Sequence, residues 1–243
     1  MSQIPATEKI FGTTTLTDYK ASMIKKTYAL LTVGVVSAFA GGYIGVSNES
    51  IIRLFSGFYG WILAMVLINV IPRIALWSST NGSKFLSVAL LAVDGFVSGL
   101  VLAPLLYVAQ LMATSNGESP NDLVFAAMGI TASVFIAVTG YIFISRKRFS
   151  GKAGLLTGIF FVLIAVTALN VLVFPGLGIM GLLISAGIGI FGVIMLIYST
   201  SSVLHDPNFL NPYAGALMLF AALFNLFVSA LNIILRLFNG GRD

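Results

Sequence analysis

After its first 26 residues the chain divides into seven long apolar runs separated by short polar breaks. They cover Thr27 to Val46, Phe58 to Trp77, Phe85 to Met112, Leu123 to Ser145, Ala153 to Phe174, Leu177 to Tyr198 and Tyr213 to Phe238. Each approaches or exceeds the roughly 20 residues a helix needs to cross the hydrocarbon core of a bilayer. The apolar residues are continuous rather than alternating, which selects helices over a barrel. The third run is long and contains Pro104; between the fifth and sixth only Phe174, Pro175, Gly176, Leu177 and Gly178 mark a break, where Pro175 and Gly176 predict a tight turn. No period of repeats and no inverted symmetry is evident. The pattern predicts an all-α, polytopic membrane protein with seven transmembrane helices over 27–243, preceded by a tail over 1–26.

Composition agrees: 58% of the 243 residues are hydrophobic and 9% charged, with a mean hydropathy of +1.02, against about 25% charged residues in soluble domains. The charges also set an orientation. An inside N-terminus puts Lys9, Lys20, Lys25, Lys26, Arg73, Lys84, Arg146, Lys147, Arg148 and Lys152 on the cytoplasmic side and Arg53, Arg236 and Arg242 outside. That is ten against three, and the positive-inside rule predicts a cytoplasmic N-terminus with the C-terminus on the periplasmic or extracellular side. Membrane lipids are the implied surroundings. The net charge of +5 comes from residues scattered over short loops, which form no basic stripe for nucleic acid. Nothing in the first 26 residues looks like a cleavable signal. Thr17 to Lys26 predicts a short interfacial helix, and residues 1–16, without hydrophobic periodicity, read as a flexible tail.

Within the spans, polar and small residues fall on faces. The sixth carries Gly178, Gly181, Ser185, Gly189, Gly192 and Ser199 along one face, a pattern that allows close helix packing or lines a path. The seventh carries Ala222, Asn225, Ser229, Asn232 and Arg236 at steps of 3 or 4, a stripe that should face protein, with the Asn side chains bonding neighbouring helices; Arg236, near the outer end, is placed to snorkel. Asp94 is the one acid deep in a span, with Ser87 and Ser98 on its face. A carboxyl in hydrocarbon favours its neutral form, so Asp94 reads as a proton site, a carboxylate for an approaching cation, or a hydrogen-bonded pin between helices. Asn69, Thr131 and Asn170 read as interhelical contacts, and Gly95 with Gly99 forms a GxxxG.

Catalysis lacks its parts. There is no cysteine, so no thiol nucleophile or thiolate metal site. The single histidine, His205, reads as a solvated loop residue without a partner for metal. No phosphate loop, HExxH or serine–base pairing is present. No cofactor, no metal and no enzymatic activity is expected.

Several segments carry a family resemblance: Leu219 through Ile233 in the seventh span with Gly241, Arg242 and Asp243; Lys26 to Leu31; Gly99 to Pro104; Thr131, Phe135 and Tyr141 before Arg146 to Ser150; and Tyr198 to His205. They resemble the Bax inhibitor-1 family, closest to the bacterial branch that modulates the membrane-bound AAA protease FtsH. The resemblance runs over nearly the whole chain from Lys25. It implies a bundle whose seventh helix is surrounded by the others, in a bacterial inner membrane. It also implies two functions. One is modulation of a membrane quality-control protease, or of a stress response, through the N-terminal tail. The other is a pH-sensitive calcium or proton leak governed by acids at positions that here are Ser199 and Ala222, so the acidic pair is missing. Asp94, Ser98, Ser199, Asn225, Ser229 and Asn232 are the candidate pathway or polar core. An accessory subunit of a larger membrane complex is a third reading.

Overall fold

The computed structural model describes residues 6–145, 149, 159, 163, 167 and 178–240. Eight helices run through them: α1 (Ala6–Val46), α2 (Glu49–Phe55), α3 (Gly57–Asn81), α4 (Lys84–Val101), α5 (Ala103–Ser115), α6 (Asp122–Ser145), α7 (Gly178–His205) and α8 (Pro212–Gly240), with no strand among the described residues. Six of them, α1 from Asp18, α3, α4, α6, α7 from Gly181 and α8 to Phe238, are long and apolar enough to cross a membrane. Apart from 159, 163 and 167, the expected fifth span lies outside the described residues, as do Asn170, the turn at Pro175 and the basic residues Arg146, Lys147, Arg148 and Lys152.

Four elements differ from the expectation. First, α1 is continuous from Ala6, so most of what reads as a tail is helix; Pro5 immediately precedes it and no proline interrupts it. Its 41 residues measure about 60 Å at 1.5 Å per residue, twice the roughly 30 Å of hydrocarbon. Second, the long third run is two helices. The N–H of Leu102 closes on the Gly99 carbonyl at 3.1 Å, and α5 restarts with Leu106 N–H on Leu102 O at 2.9 Å; Pro104 sits in the first turn of α5, where a missing N–H is harmless. Third, the break after the first run holds α2, started by Asn48, whose side chain accepts from the Ser50 N–H at 3.0 Å. Fourth, α7 continues to His205, so the hydroxyl-rich residues from Ser199 to Ser202 are buried helix rather than loop.

Backbone touches backbone where α1 crosses α4. A β-carbon on Gly41 would overlap the Phe96 carbonyl, one on Gly95 the Gly34 carbonyl, and one on Gly99 the Ala38 carbonyl. At Gly45 it would lie 2.9 Å from the Ala103 Cβ. Gly34, Gly41 and Gly45 thus form one wall of a seam, and Gly95, Gly99 and Ala103 the other. In lipid no hydrophobic force pulls helices together, so such close van der Waals packing supplies the association.

The second organising element is α8, which contacts α1, α3, α4, α5, α6 and α7. Of its most apolar stretch 44% is buried, against 17 to 33% for the other five candidate spans. It is the central helix.

The seam generates a prediction. Overpacking costs about 1–3 kcal/mol, so Gly99→Ala should lower the unfolding temperature in detergent by about 2–12 °C at the usual sensitivity for a chain of this size. Gly129→Ala, with open space around its Cα, should leave it unchanged or raise it. Equal effects at both positions would contradict the close crossing.

Candidate functional site

Hydrogen bonds between turns show which parts of the chain share an end of the bundle. Lys20 donates from Nζ to the carbonyls of Asp206 (2.6 Å) and Phe209 (2.9 Å), tying the start of the α1 span to the α7–α8 turn. From that turn, Asn211 Nδ2 donates to Ser79 Oγ at 3.1 Å and Tyr213 Oη to Lys84 O at 3.4 Å. His205 Nε2 pairs with the Ile142 carbonyl at 2.9 Å, bringing in the end of α6. This end, with Lys20, Lys25, Lys26 and Lys84, is the basic end. The far end holds the α5–α6 turn, where Gln110 Nε2 donates to Asn121 Oδ1 at 2.9 Å, and the last turns of α8.

The small-residue face of α7 is filled by α8. A β-carbon on Gly181 would overlap the Arg236 guanidinium, one on Gly189 would lie 2.5 Å from Ser229 Oγ, and one on Gly192 3.0 Å from Leu226. Ser229 Oγ donates to the Ser185 carbonyl at 2.6 Å, while Ser185 Oγ donates to Gly181 O at 2.8 Å. Arg236 therefore packs against α7 rather than only reaching for the interface.

The two asparagines of the α8 stripe behave differently from expectation. Asn225 Nδ2 donates to Ala221 O and Asn232 Nδ2 to Val228 O, both at 2.9 Å and both within α8. Asn69 and Thr131 likewise bond the carbonyl four residues back, Met65 and Ala127. Half-buried amides beside their own helix carbonyls satisfy themselves at once, and of the polar residues of this stripe Ser229 is the one with a hydrogen bond recorded to a neighbouring described helix. Among the described residues Asn225 and Asn232 show local back-bonding in place of interhelical bonds.

Asp94 is 3% exposed and Ser98 2% exposed. They lie on the face of α4 that carries Leu91, which clusters with Ala75, Ala216 and Leu217. Ser87 on the same face donates to the Ser83 carbonyl at 3.1 Å and stands 3.3 Å from Ser78 Oγ. Neither Asp94 nor Ser98 is hydrogen-bonded to the polar residues of α7 or α8 among the described residues. The six candidate residues therefore fall into groups: Asp94 with Ser98 on α4, Ser229 with α7, Asn225 and Asn232 turned onto their own backbone, and Ser199.

Ser199 belongs to a group not anticipated as one. It is fully buried, as is Thr200, and neither hydroxyl has a partner. The same holds for the hydroxyl oxygens of Tyr28 and Thr139. Tyr28 faces Thr139 across the α1–α6 contact without hydrogen-bond geometry, and its ring meets Phe135 edge-on at 6.4 Å. Ser199 and Thr200 lie between Leu196 and Val203, which share a core cluster with Tyr28, Phe135, Leu219 and Ala222. The run of hydroxyls from Ser199 to Ser202 was the available signal, concealed by ending the sixth span at Tyr198. Among the described residues no three His, Cys, Asp or Glu side chains converge to hold a metal.

An all-helical arrangement of the described residues, with a central, glycine-matched last helix and six helices apolar enough to cross a membrane, defines the class: a multi-pass membrane protein built on close helix packing. The family described as inhibitor of apoptosis-promoting Bax1 matches residues 20–241, and the chain belongs to this Bax inhibitor-1 family. Similar proteins include an uncharacterised protein of Campylobacter jejuni, 32% identical over 219 residues that cover 89% of this chain and 88% of the relative. An uncharacterised protein of Pseudomonas aeruginosa is 29% identical over 219 residues, 88% of each chain. The modulator of FtsH protease YccA of Escherichia coli is 27% identical over 217 residues, covering 87% of this chain and 89% of that protein; its counterpart in another strain is named an inner membrane protein.

The hydrogen-bond pattern predicts an ordering of stabilities. Ser229→Ala should cost about 0.6 kcal/mol and at most about 1.7, while Asn232→Leu, which removes only a local back-bond, should stay within about 0.5 kcal/mol of the parent. Thermal unfolding of both variants in detergent checks this; a larger loss from Asn232→Leu would restore the interhelical role.

Proposed function

We propose that the protein is a non-enzymatic modulator of a membrane-bound AAA protease of the FtsH type, engaged through the N-terminal end of α1. The observation that carries this reading is the similarity to YccA over 87% of the chain. The length of α1 supports it: its 41 residues exceed what one crossing needs, so its N-terminal turns supply a helical handle. We further propose that the basic end is cytoplasmic, on the charge count of ten against three, which places the handle where such a protease has its ATPase. Seven crossings fit this orientation. The ends of two helices support this: α6 finishes at the basic end and α7 starts at the far end, against Arg236.

Co-purification from native membranes, paired with half-life measurements, tests the proposal. The full chain should co-purify with FtsH and be lost slowly. Deleting residues 1–16 should abolish co-purification and lengthen the half-life without preventing membrane insertion. A half-life indifferent both to that deletion and to loss of FtsH would overturn it.

A second reading, a proton or cation path, has one specific observation in its favour: the buried Asp94 carboxyl without a hydrogen-bond partner among the described residues. It predicts that Asp94→Asn changes flux into proteoliposomes between pH 6 and pH 8; identical leak for parent and variant at both pH values would remove Asp94 from any path.

A further inference from the structure

Toward the basic end, α1, α6 and α7 each carry buried hydroxyls that make no hydrogen bond among the described residues. Elsewhere in this chain the buried or half-buried hydroxyls of Thr27, Thr131 and Ser185 donate to the carbonyl four residues back, at 2.8 to 3.0 Å, the usual recourse of Ser and Thr in a helix. Ser199, Thr200 and Thr139 do not, and Tyr28 Oη faces Thr139 without hydrogen-bond geometry. A lone buried hydroxyl that bonds nothing is costly. Four such hydroxyls, on α1, α6 and α7 beside one core cluster, make a polar layer that is unsatisfied among the described residues.

A cleft of about 270 Å³, open on the side where Phe143 is exposed, is lined by Ile24, Phe143, Leu204 and His205. Each of the first three is displaced by four residues from a hydroxyl: Ile24 from Tyr28, Phe143 from Thr139, Leu204 from Thr200. All three displacements run toward the basic end, because α1 enters the bundle there while α6 and α7 leave it there. The cleft therefore sits one helical turn above the hydroxyls, about 5.4 Å along the axis. His205 is at its rim, with Nε2 on the Ile142 carbonyl. Below the hydroxyls, Leu31, Leu196, Leu219 and Phe220 close the core.

We propose that α1, α6 and α7 enclose a blind, hydrated vestibule, entered past His205 at the basic end and floored by Leu196, in which ordered water satisfies Tyr28, Thr139, Ser199 and Thr200. Its ligand is water. Hydroxyls offer both donors and acceptors, as bridging waters require, and no carboxylate among those lining residues supplies the negative charge of a divalent-cation site. The apolar floor makes it an inlet rather than a pore.

The absence of cysteine makes the full chain a ready background for accessibility measurements. Thr200→Cys and Ser199→Cys in membrane fragments open on both sides should react with a small, charged ethylammonium methanethiosulfonate at least tenfold faster than Leu196→Cys in the floor and Ile194→Cys on the exposed apolar surface, since the reactive thiolate forms only where water reaches. His205→Trp should slow the reaction at Thr200→Cys at least threefold. Rates at positions 199 and 200 no faster than at Leu196 would overturn the proposal. Thr200→Val gives an independent reading: in a hydrated site it leaves the unfolding temperature unchanged or lower, whereas a rise, expected if an orphan hydroxyl had been removed from a dry core, would count decisively against the vestibule.

Discussion

The arrangement depends on the close approach of α1 to α4. Lipid tails solvate leucine as well as another helix does, so apolar side chains alone give these helices no reason to associate. What distinguishes protein from lipid as a neighbour is the fit of backbone against backbone. Gly34, Gly41 and Gly45 opposite Gly95, Gly99 and Ala103 remove the side chains that would hold the helices apart. With α4 fixed on α1, α8 can settle against α1, α6 and α7 together, and its own partner α7 repeats the device with Gly181, Gly189 and Gly192. Two glycine seams, one between α1 and α4 and one between α7 and the central helix, set the bundle.

Polar groups then take the positions that the seams leave them. Ser229 is close enough to α7 to bond across because Gly189 has no side chain in the way. Asn225 and Asn232 are only half-buried and satisfy their donors within one helix. Asp94 lies next to the α1–α4 seam at Gly95, where backbone contact leaves little room for partners. Among the described residues the polar interior is a set of separate sites: a carboxyl on α4, a serine bridge between α7 and α8, and a hydroxyl layer at the basic end.

Much of this was legible in the sequence. Hydropathy located six spans that the described residues contain, the steps of 3 and 4 in the last span marked a face turned to protein, and the family resemblance implied its central position. The glycine faces were visible too, but a GxxxG such as Gly95 and Gly99 names one wall of a seam and not the other; Gly34, Gly41 and Gly45 become its complement only in three dimensions. Three features were hidden for physical reasons. An asparagine on a helix reads the same whether it reaches its own i−4 carbonyl or a neighbouring helix. Residues 6–16 carry no apolar period, yet period reports which face of a helix packs rather than helicity itself, so its absence does not exclude a helix. Ser199 to His205 look like a polar loop because serine and threonine are polar, although in a helix they are small enough to be wholly buried.

The unbroken length of α1 also has a mechanical meaning. A flexible leader would absorb displacement as slack before anything inside the membrane moved. A helix running from Ala6 to Val46 has no slack, so a pull at its N-terminus is transmitted along the axis to the glycine seam with α4, the contact hardest to slide because carbonyls sit in the spaces left by missing side chains. Lys20 adds a tether, holding the same helix to the turn before α8. Extraction from this end would have to shear the tightest joint first, which makes the molecule stiffest along the line on which an N-terminal grip would act.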